Sequence, residues 1–367
     1  MQSFLQLVAH DLYTKIGNDL SRTALIFPNK RANLFFNEYL AGESDQPIWS
    51  PAAMSISDLF QKLSVQKSGD PIRLVCELYK VFKEETQSQE TLDDFYFWGE
   101  LLISDFDDVD KNMVDADKLF SNLQDLKNLM DDYEFLDKEQ EEAIQQFFQN
   151  FSIEKRTELK EKFISLWDKL GTIYHRYRAN LTELGIAYEG MLYRNVIEQL
   201  DTDQLKYDKY IFVGFNVLNK VENDFFRKLK DAGKALFYWD YDIFYTQQIK
   251  KHEAGEFLKR NLEEFPNELP ESFFNTFKEP KKIRYISAST ENAQARFLPE
   301  WIKAITNDHS QIAIEKEKEN AVVLCNEALL LPVLHSIPQE VKNVNITMGF
   351  PLAQTPVYSF INAAMDL

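Results

Sequence analysis

Between residues 66 and 205 the apolar side chains recur at helical spacing, and strand-like alternation all but vanishes. On both sides of that block, short apolar runs alternate with helical patterns. Such alternation favours parallel strands joined by helical crossovers. The pattern therefore predicts an α/β protein whose sheet-forming chain is interrupted by a large all-α insertion.

The sheet-forming part begins with "ALIFPNKRANLFFNEYL" (24–40), read as a buried strand from Ala24 to Phe27, a turn at Pro28 and Asn29, and a helix opening with Lys30 and Arg31. "IWSPAAMSISDLF" (48–60) reads as a short extended piece, a turn, and a helix capped by Ser55 or Ser57. After the insertion, "YIFVGFNVL" (210–218) predicts a buried strand. "NKVENDFFRKLKDAG" predicts a helix closed by Gly233. Residues 234–245 predict a second strand ending in acids. A linker is expected at 277–283, followed by strand–loop–helix units from 281, 320 and 343. The expected organisation is 1–65 and 206–276 as two parts of one α/β domain, 66–205 as the insertion, and 281–367 as the start of a second α/β domain. The chain stops at Leu367 inside a helical pattern, which predicts a fragment of a longer protein.

Within the insertion, helices are expected over "IRLVCELYKVFKEE", over 116–130 and 138–151, and over 158–185. "DDFYFWGELLISDFDDVDKNM" starts as a helix and is expected to end in an acidic loop. The net charge of −18 is concentrated here, since residues 81–150 hold 20 acidic against 5 basic side chains. That segment repels a nucleic-acid backbone, whereas the rest of the chain is nearly neutral and can carry a local basic groove. Cys76 and Cys325 lie far apart with no CxxC partner, as expected of buried thiols in a reducing compartment. The N-terminus lacks the pattern of a signal peptide, and no apolar run reaches about 18 residues. The expectation is a cytoplasmic protein with no membrane partner.

A phosphate-binding loop needs glycines, so that backbone N–H groups can approach the phosphates, and a lysine to reach the outer oxygens. Only Gly185 and Gly190 have the right spacing, and Met191 and Leu192 follow them. The chain has no Walker A motif. "YIFVGFNVL" ends in Gly214, Phe215 and Asn216 rather than in the Asp-Glu pair that would hold magnesium. Asp240 and Asp242, two residues apart, are candidates for a metal pair; the competing reading is a polar strand end that caps the next turn. "SDFDDVD" (104–110) has the acid density of a calcium loop without its glycine or distal glutamate. No cofactor is expected. What remains is a set of polar and basic residues at loop-to-helix junctions: Asn29, Lys30 and Arg31, with Gln354 and Thr355 after "NITMGFPL". A helix start beside a cation attracts anions, and a nucleic-acid phosphate is one candidate. The alternative is an exposed first turn with no ligand. Phe35, Phe36, Tyr238 and Trp239 could stack on bases, though aromatic residues at such spacing more often fill a core.

"ALIFPNKRANLFFNEYL", "FYFWGELLISDFDDVDKN", "AYEGMLYR", "YIFVGFNVLNKVE", "LFYWDYD" and "VNITMGFPLAQTPV" together resemble the N-terminal half of AddB-like proteins of the Bacteroidetes type, DNA-repair members of the PD-(D/E)xK nuclease family. The resemblance implies a degenerate UvrD-like helicase core of P-loop, RecA-like fold, with a helical subdomain inserted in the first RecA-like domain and a partial second one. It places "FPNKRA" where such helicases touch single-stranded DNA, and "FVGFNVL" at the Walker B strand. It also implies an AddA-like motor subunit as partner, and an exonuclease domain further along the parent protein. Three functions are thus expected in competition. The first is a catalytically inert helicase-like module binding single-stranded DNA and the motor partner. The second is a scaffold that docks a partner through its acidic helices and binds no DNA. The third is a residual nucleotidase using Asp240 and Asp242.

Overall fold

Four parallel strands organise the first of two units into which the chain divides. The computed structural model describes residues 2–120, 156–247, 253–306 and 320–366, and the units are Met1–Glu279 and Pro280–Leu367. The chain enters through helix α1 (Phe4–Ile16), then strand β1 (Thr23–Phe27), α2 (Ala32–Ala41), β2 (Ala52–Ser55) and α3 (Ile56–Leu63). The insertion follows with the two-residue strand β3 (Lys67–Ser68), α4 (Pro71–Thr86), α5 (Leu92–Lys111), α6 (Arg156–Glu183), β4 (Ile186–Ala187) and α7 (Glu189–Gln199). The chain then returns to the sheet through β5 (Lys209–Val213), α8 (Lys220–Asp231) and β6 (Ala235–Tyr238). The sheet order is β2-β1-β5-β6, with Leu25 of β1 opposite Ala53 on one side and Ile211 on the other.

Period-two alternation sends each strand to both faces. Leu25, Phe27, Ile211, Val213 and Tyr238 pack with Val8 and Leu12 of α1 and with Phe36 and Leu40 of α2. Ala24, Ile26, Phe212 and Phe237 face the other way, against Phe60 of α3, Leu192 of α7, and Phe225 and Phe226 of α8. Both faces are covered, which is why the strands read as continuous apolar runs. The second cluster continues without a break into the insertion, through Phe95 and Phe106 of α5 and Ile173 and Tyr177 of α6. The insertion therefore shares a core with the sheet.

Local signals set the helix starts. Capping boxes built on Ser3, Ser55, Thr91 and Asn219 open α1, α3, α5 and α8, and Asp70 before Pro71 opens α4. Several expectations need correction. "SDFDDVD" is no loop: α5 runs through it to Lys111, carried by the buried Phe106, Val109 and Asp110 on its inner face. β5 ends at Val213, because Gly214 has φ +73° and turns the chain. β6 ends at Tyr238, before the acids. A short parallel pair, β3 with β4, closes the neck of the insertion where only helices were expected. The helix expected at 138–151 lies outside the described residues, as does most of that at 116–130.

The second unit holds α11 (Glu291–Arg296), α12 (Leu298–Thr306), α13 (Leu330–Ser336) and α14 (Pro356–Met365); α9 (Ile243–Thr246) and α10 (Glu253–Glu264) precede it in the first. Ala295, Leu298 and Val333 form its small buried cluster. Among its described residues the strands expected from 281, 320 and 343 are absent. A strand needs a paired neighbour and a packed face, whereas Tyr285 is 90% and Val323 84% exposed. Among the described residues of the whole chain, no helix is long and apolar enough to cross a membrane.

Candidate functional site

The sheet changes direction between β1 and β5. From β1 the chain crosses to β2 by α2 on one face, and from β5 it crosses to β6 by α8 on the other. In open parallel sheets, ligands bind outside the carboxyl ends of the strands at such a reversal, where the two loops part. Here those loops are 28–31 and 214–219.

The first loop is shaped by Asn29. Pro28 ends the ladder, having no N–H to give. The Asn29 side-chain oxygen then accepts from the N–H groups of Arg31 (3.1 Å) and Ala32 (3.4 Å), which turns the chain into α2. Lys30 reaches the first turn of α3, its Nζ 3.0 Å from Asp58 Oδ1. Asp58 also closes the α3 capping box, accepting from the Ser55 hydroxyl at 2.7 Å and from the Ser55 N–H at 3.2 Å. Those Ser55 bonds first, and Lys30 second, hold the Asp58 carboxyl below the usual aspartate range. Arg31 is exposed, and no carboxylate of the described residues pairs with it. Just inside α2, the Asn33 side-chain oxygen is buried without a hydrogen-bond partner.

The second loop leaves β5 at Gly214, whose N–H donates to Tyr238 O at 2.9 Å. The Asn216 carbonyl is held by Asn261, and Asn219 caps α8 with Glu222 completing the box. Burial raises the Glu222 carboxyl above the usual glutamate range. Beyond it the neck is acidic. Glu189 accepts from Ser57 at 3.0 Å and pairs with Lys111 at 2.6 Å, and Lys111 also holds Asp107 at 2.7 Å. Burial alone would raise Glu189; its bonds to Lys111 outweigh that and hold it low.

The other sequence candidates lie elsewhere or are engaged. Asp242 caps α9 through Phe244 N and accepts from the N–H groups of Thr276 and Phe277 at 2.9 and 2.8 Å, so it ties the end of the first unit together. Burial pushes the Asp240 carboxyl up, although the residue reaches solvent. Among the described residues no cluster of three or more His, Cys, Asp or Glu is arranged to hold a metal. Gln354 and Thr355 belong to the second unit, where the Thr355 hydroxyl caps α14 by accepting from Tyr358 N at 3.3 Å. Of the aromatic candidates, Phe36, Tyr238 and Trp239 are core, and Phe35 is 39% exposed. Gly190, half of the only P-loop-like spacing, lets α7 approach α5: its N–H donates to Asp107, and a Cβ there would stand 2.4 Å from the Asp107 carbonyl oxygen.

Sequence reasoning missed the buried polar centre of the insertion. Asp110 is fully buried and accepts from Tyr174 at 2.6 Å, from Tyr188, and from Arg178, with Arg194 at 3.3 Å. Arg178 continues to Asn195 (3.0 Å), and Asn195 to Gln66 (2.6 Å). Burial first, and Asp110 next, push the Tyr174 phenol far up. The signal was helical phase: Asp110 falls on the same face as Phe106, but the density of acids around it read as loop.

The chain matches no family model, and no curated protein sequence matches it. The α/β architecture with its four-stranded parallel sheet stands on the coordinates alone.

Proposed function

We propose that this chain is a helicase-like module that lacks a nucleotide-hydrolysing centre of its own, holds single-stranded DNA in the crevice between β1 and β5, and works beside an AddA-like motor subunit. The observation that carries the reading is the position of Asn29, Lys30 and Arg31 at the carboxyl end of β1, at the point where the sheet reverses. A glycine-rich cradle is missing there, and a cation-bearing asparagine turn stands in its place. Such a loop suits a phosphodiester better than a nucleotide's chain of phosphates, because it offers point contacts and no enveloping nest. The similarity of "FPNKRA" and its surroundings to AddB-like proteins supports the same reading. The degenerate UvrD-like core, with a second RecA-like domain beginning in Pro280–Leu367, is part of this proposal.

Fluorescence anisotropy of a labelled single strand of about 20 nucleotides tests it, with Lys30→Ala/Arg31→Ala as the comparison. Expected is binding that weakens steeply between low and moderate salt, with a shallower slope and lower affinity in the double variant. Absence of binding at low salt overturns the reading and favours the scaffold. One observation favours that second reading: Lys30 is already neutralised by Asp58.

A further inference from the structure

The outer face of α5 carries exposed apolar side chains side by side. Phe97 is 64% exposed, Trp98 52% and Leu101 43%, and the rings of Phe97 and Trp98 meet edge-on at 5.9 Å. With Asp94, Asp105 and Asp108, all exposed, these residues fall at spacings of three and four, on one side of the helix. The opposite side holds Phe95, Phe106 and Asp110 in the core. The stripe is therefore an apolar centre with acids at both ends. Among the described residues no basic side chain bonds to Asp105 or Asp108. Partial desolvation at the helix surface, and then the neighbouring Asp108, push the Asp105 carboxyl up.

We infer that this face is a docking site for a cationic amphipathic helix of a partner protein, whose apolar side covers Phe97, Trp98 and Leu101 and whose Lys or Arg residues meet Asp94, Asp105 and Asp108. Charge complementarity selects that occupant. Residues 121–155 of this chain hold 9 acidic against 3 basic side chains, so they bring like charge to the acids. A second copy does the same, because it presents the identical acidic stripe. Exposed, closely packed aromatic residues are the usual anchors of a protein interface. The inference deepens the proposed function, in that it rests on the existence of a partner subunit. It concerns a surface other than the DNA crevice, so either can fail without the other.

The test uses the whole chain and a labelled synthetic helix of about 18 residues, with leucine on one face and lysine on the other. Expected is saturable binding, weakened about tenfold by Trp98→Ala. Asp105→Asn/Asp108→Asn should weaken it several-fold and flatten its salt dependence. Asp201→Asn/Asp203→Asn, the same charge change elsewhere, should leave it unaltered. Oxidative footprinting read at Trp98 completes the test, and exposure in the chain alone with protection by the peptide is the supporting result. Equal binding by all variants would reduce the effect to a general attraction for an acidic protein and overturn the site. Protection of Trp98 before peptide is added overturns it as well. If that protection is independent of concentration, residues 121–155 cover the face; if it grows with concentration, a second copy does.

Discussion

The Lys30 ammonium and the Asp58 carboxylate, 3.0 Å apart, tie the loop after β1 to the helix after β2. Asp58 thereby serves two partners, since it also caps α3 through Ser55. In the proposed function the pair competes with DNA phosphate for the same ammonium. Asp58→Asn keeps an acceptor near Ser55 and releases Lys30. The expected outcome is a two- to tenfold gain in single-strand affinity at low salt, to within about that range, for one freed cation. Anisotropy titration beside Lys30→Ala checks it.

Asp58 also makes a pH prediction. Its carboxyl is depressed in the folded chain, by Ser55 first and Lys30 second. A depressed carboxylate contributes stability above its unfolded pKa of about 3.9, and that contribution is lost as pH falls through the folded value. Asp58→Ala should cost about 1 kcal/mol near neutrality, mostly from the cap. The gap between the melting curves of variant and parent should narrow as pH is lowered through the aspartate range.

Asp110 is the sole carboxylate bonded to both Arg178 and Arg194 among the described residues. Asp110→Asn leaves the half-buried Arg178 guanidinium without its carboxylate partner and Arg194 with Glu198 alone. The expected loss is about 3–5 kcal/mol, measured by urea denaturation. Tyr174→Phe removes the hydroxyl's bonds to Asp110 and from Arg178 and should cost about 1–3 kcal/mol. A double-mutant cycle of Asp110→Asn with Tyr174→Phe should be clearly non-additive, because both act on one network.

Glu222 predicts the opposite sign. Burial raises its carboxyl in the folded state. A raised carboxyl favours the folded state only while protonated, so above an ordinary glutamate pKa of about 4.3 the buried charge works against folding. Glu222→Gln keeps the capping box, which accepts glutamine at that position. Thermal unfolding should therefore show the variant more stable at neutral pH, with the advantage disappearing below that pKa.

Gly190 and Asp107 set the separation of α7 from α5. Gly190→Ala puts a methyl group 2.4 Å from a backbone oxygen that cannot swing aside. Overpacking of this kind costs about 1–3 kcal/mol. Gly185→Ala serves as a contrast: the site is open, but φ +67° is unfavourable for alanine, so its cost of about 1 kcal/mol comes from the backbone alone.

The sheet was legible because its strands are buried on both faces and bounded by turn residues: "ALIF" ends at Pro28 and "YIFV" at Gly214. The start of α3 was legible as a serine cap at Ser55 or Ser57, and the end of α8 as a glycine stop at Gly233. Strand ends near Asp240 were not, since Trp239 and Tyr241 continue the aromatic run while the backbone has already left the ladder. The strand signals of the second unit stand alone for a different reason: local propensity marks Ile283 or Val323, and only a tertiary partner converts it to a ladder. In the candidate site, Asn29, Lys30 and Arg31 were visible as a polar junction. The Lys30–Asp58 pair was not, because it joins the loop after β1 to the first turn of α3, which only the parallel pairing of β1 with β2 brings side by side.

Pairing of Thr23 with Lys209 has a consequence for synthesis. While the insertion is being made, β1 has one neighbour and an open edge of unpaired backbone groups on a largely apolar strand, a template for any extended chain nearby. At ribosomal speeds of about 5–20 residues per second, that edge waits roughly 10–40 s for β5 to emerge. The length of the helical block thus sets how long the nascent chain needs shielding, and a shorter block would shorten the wait.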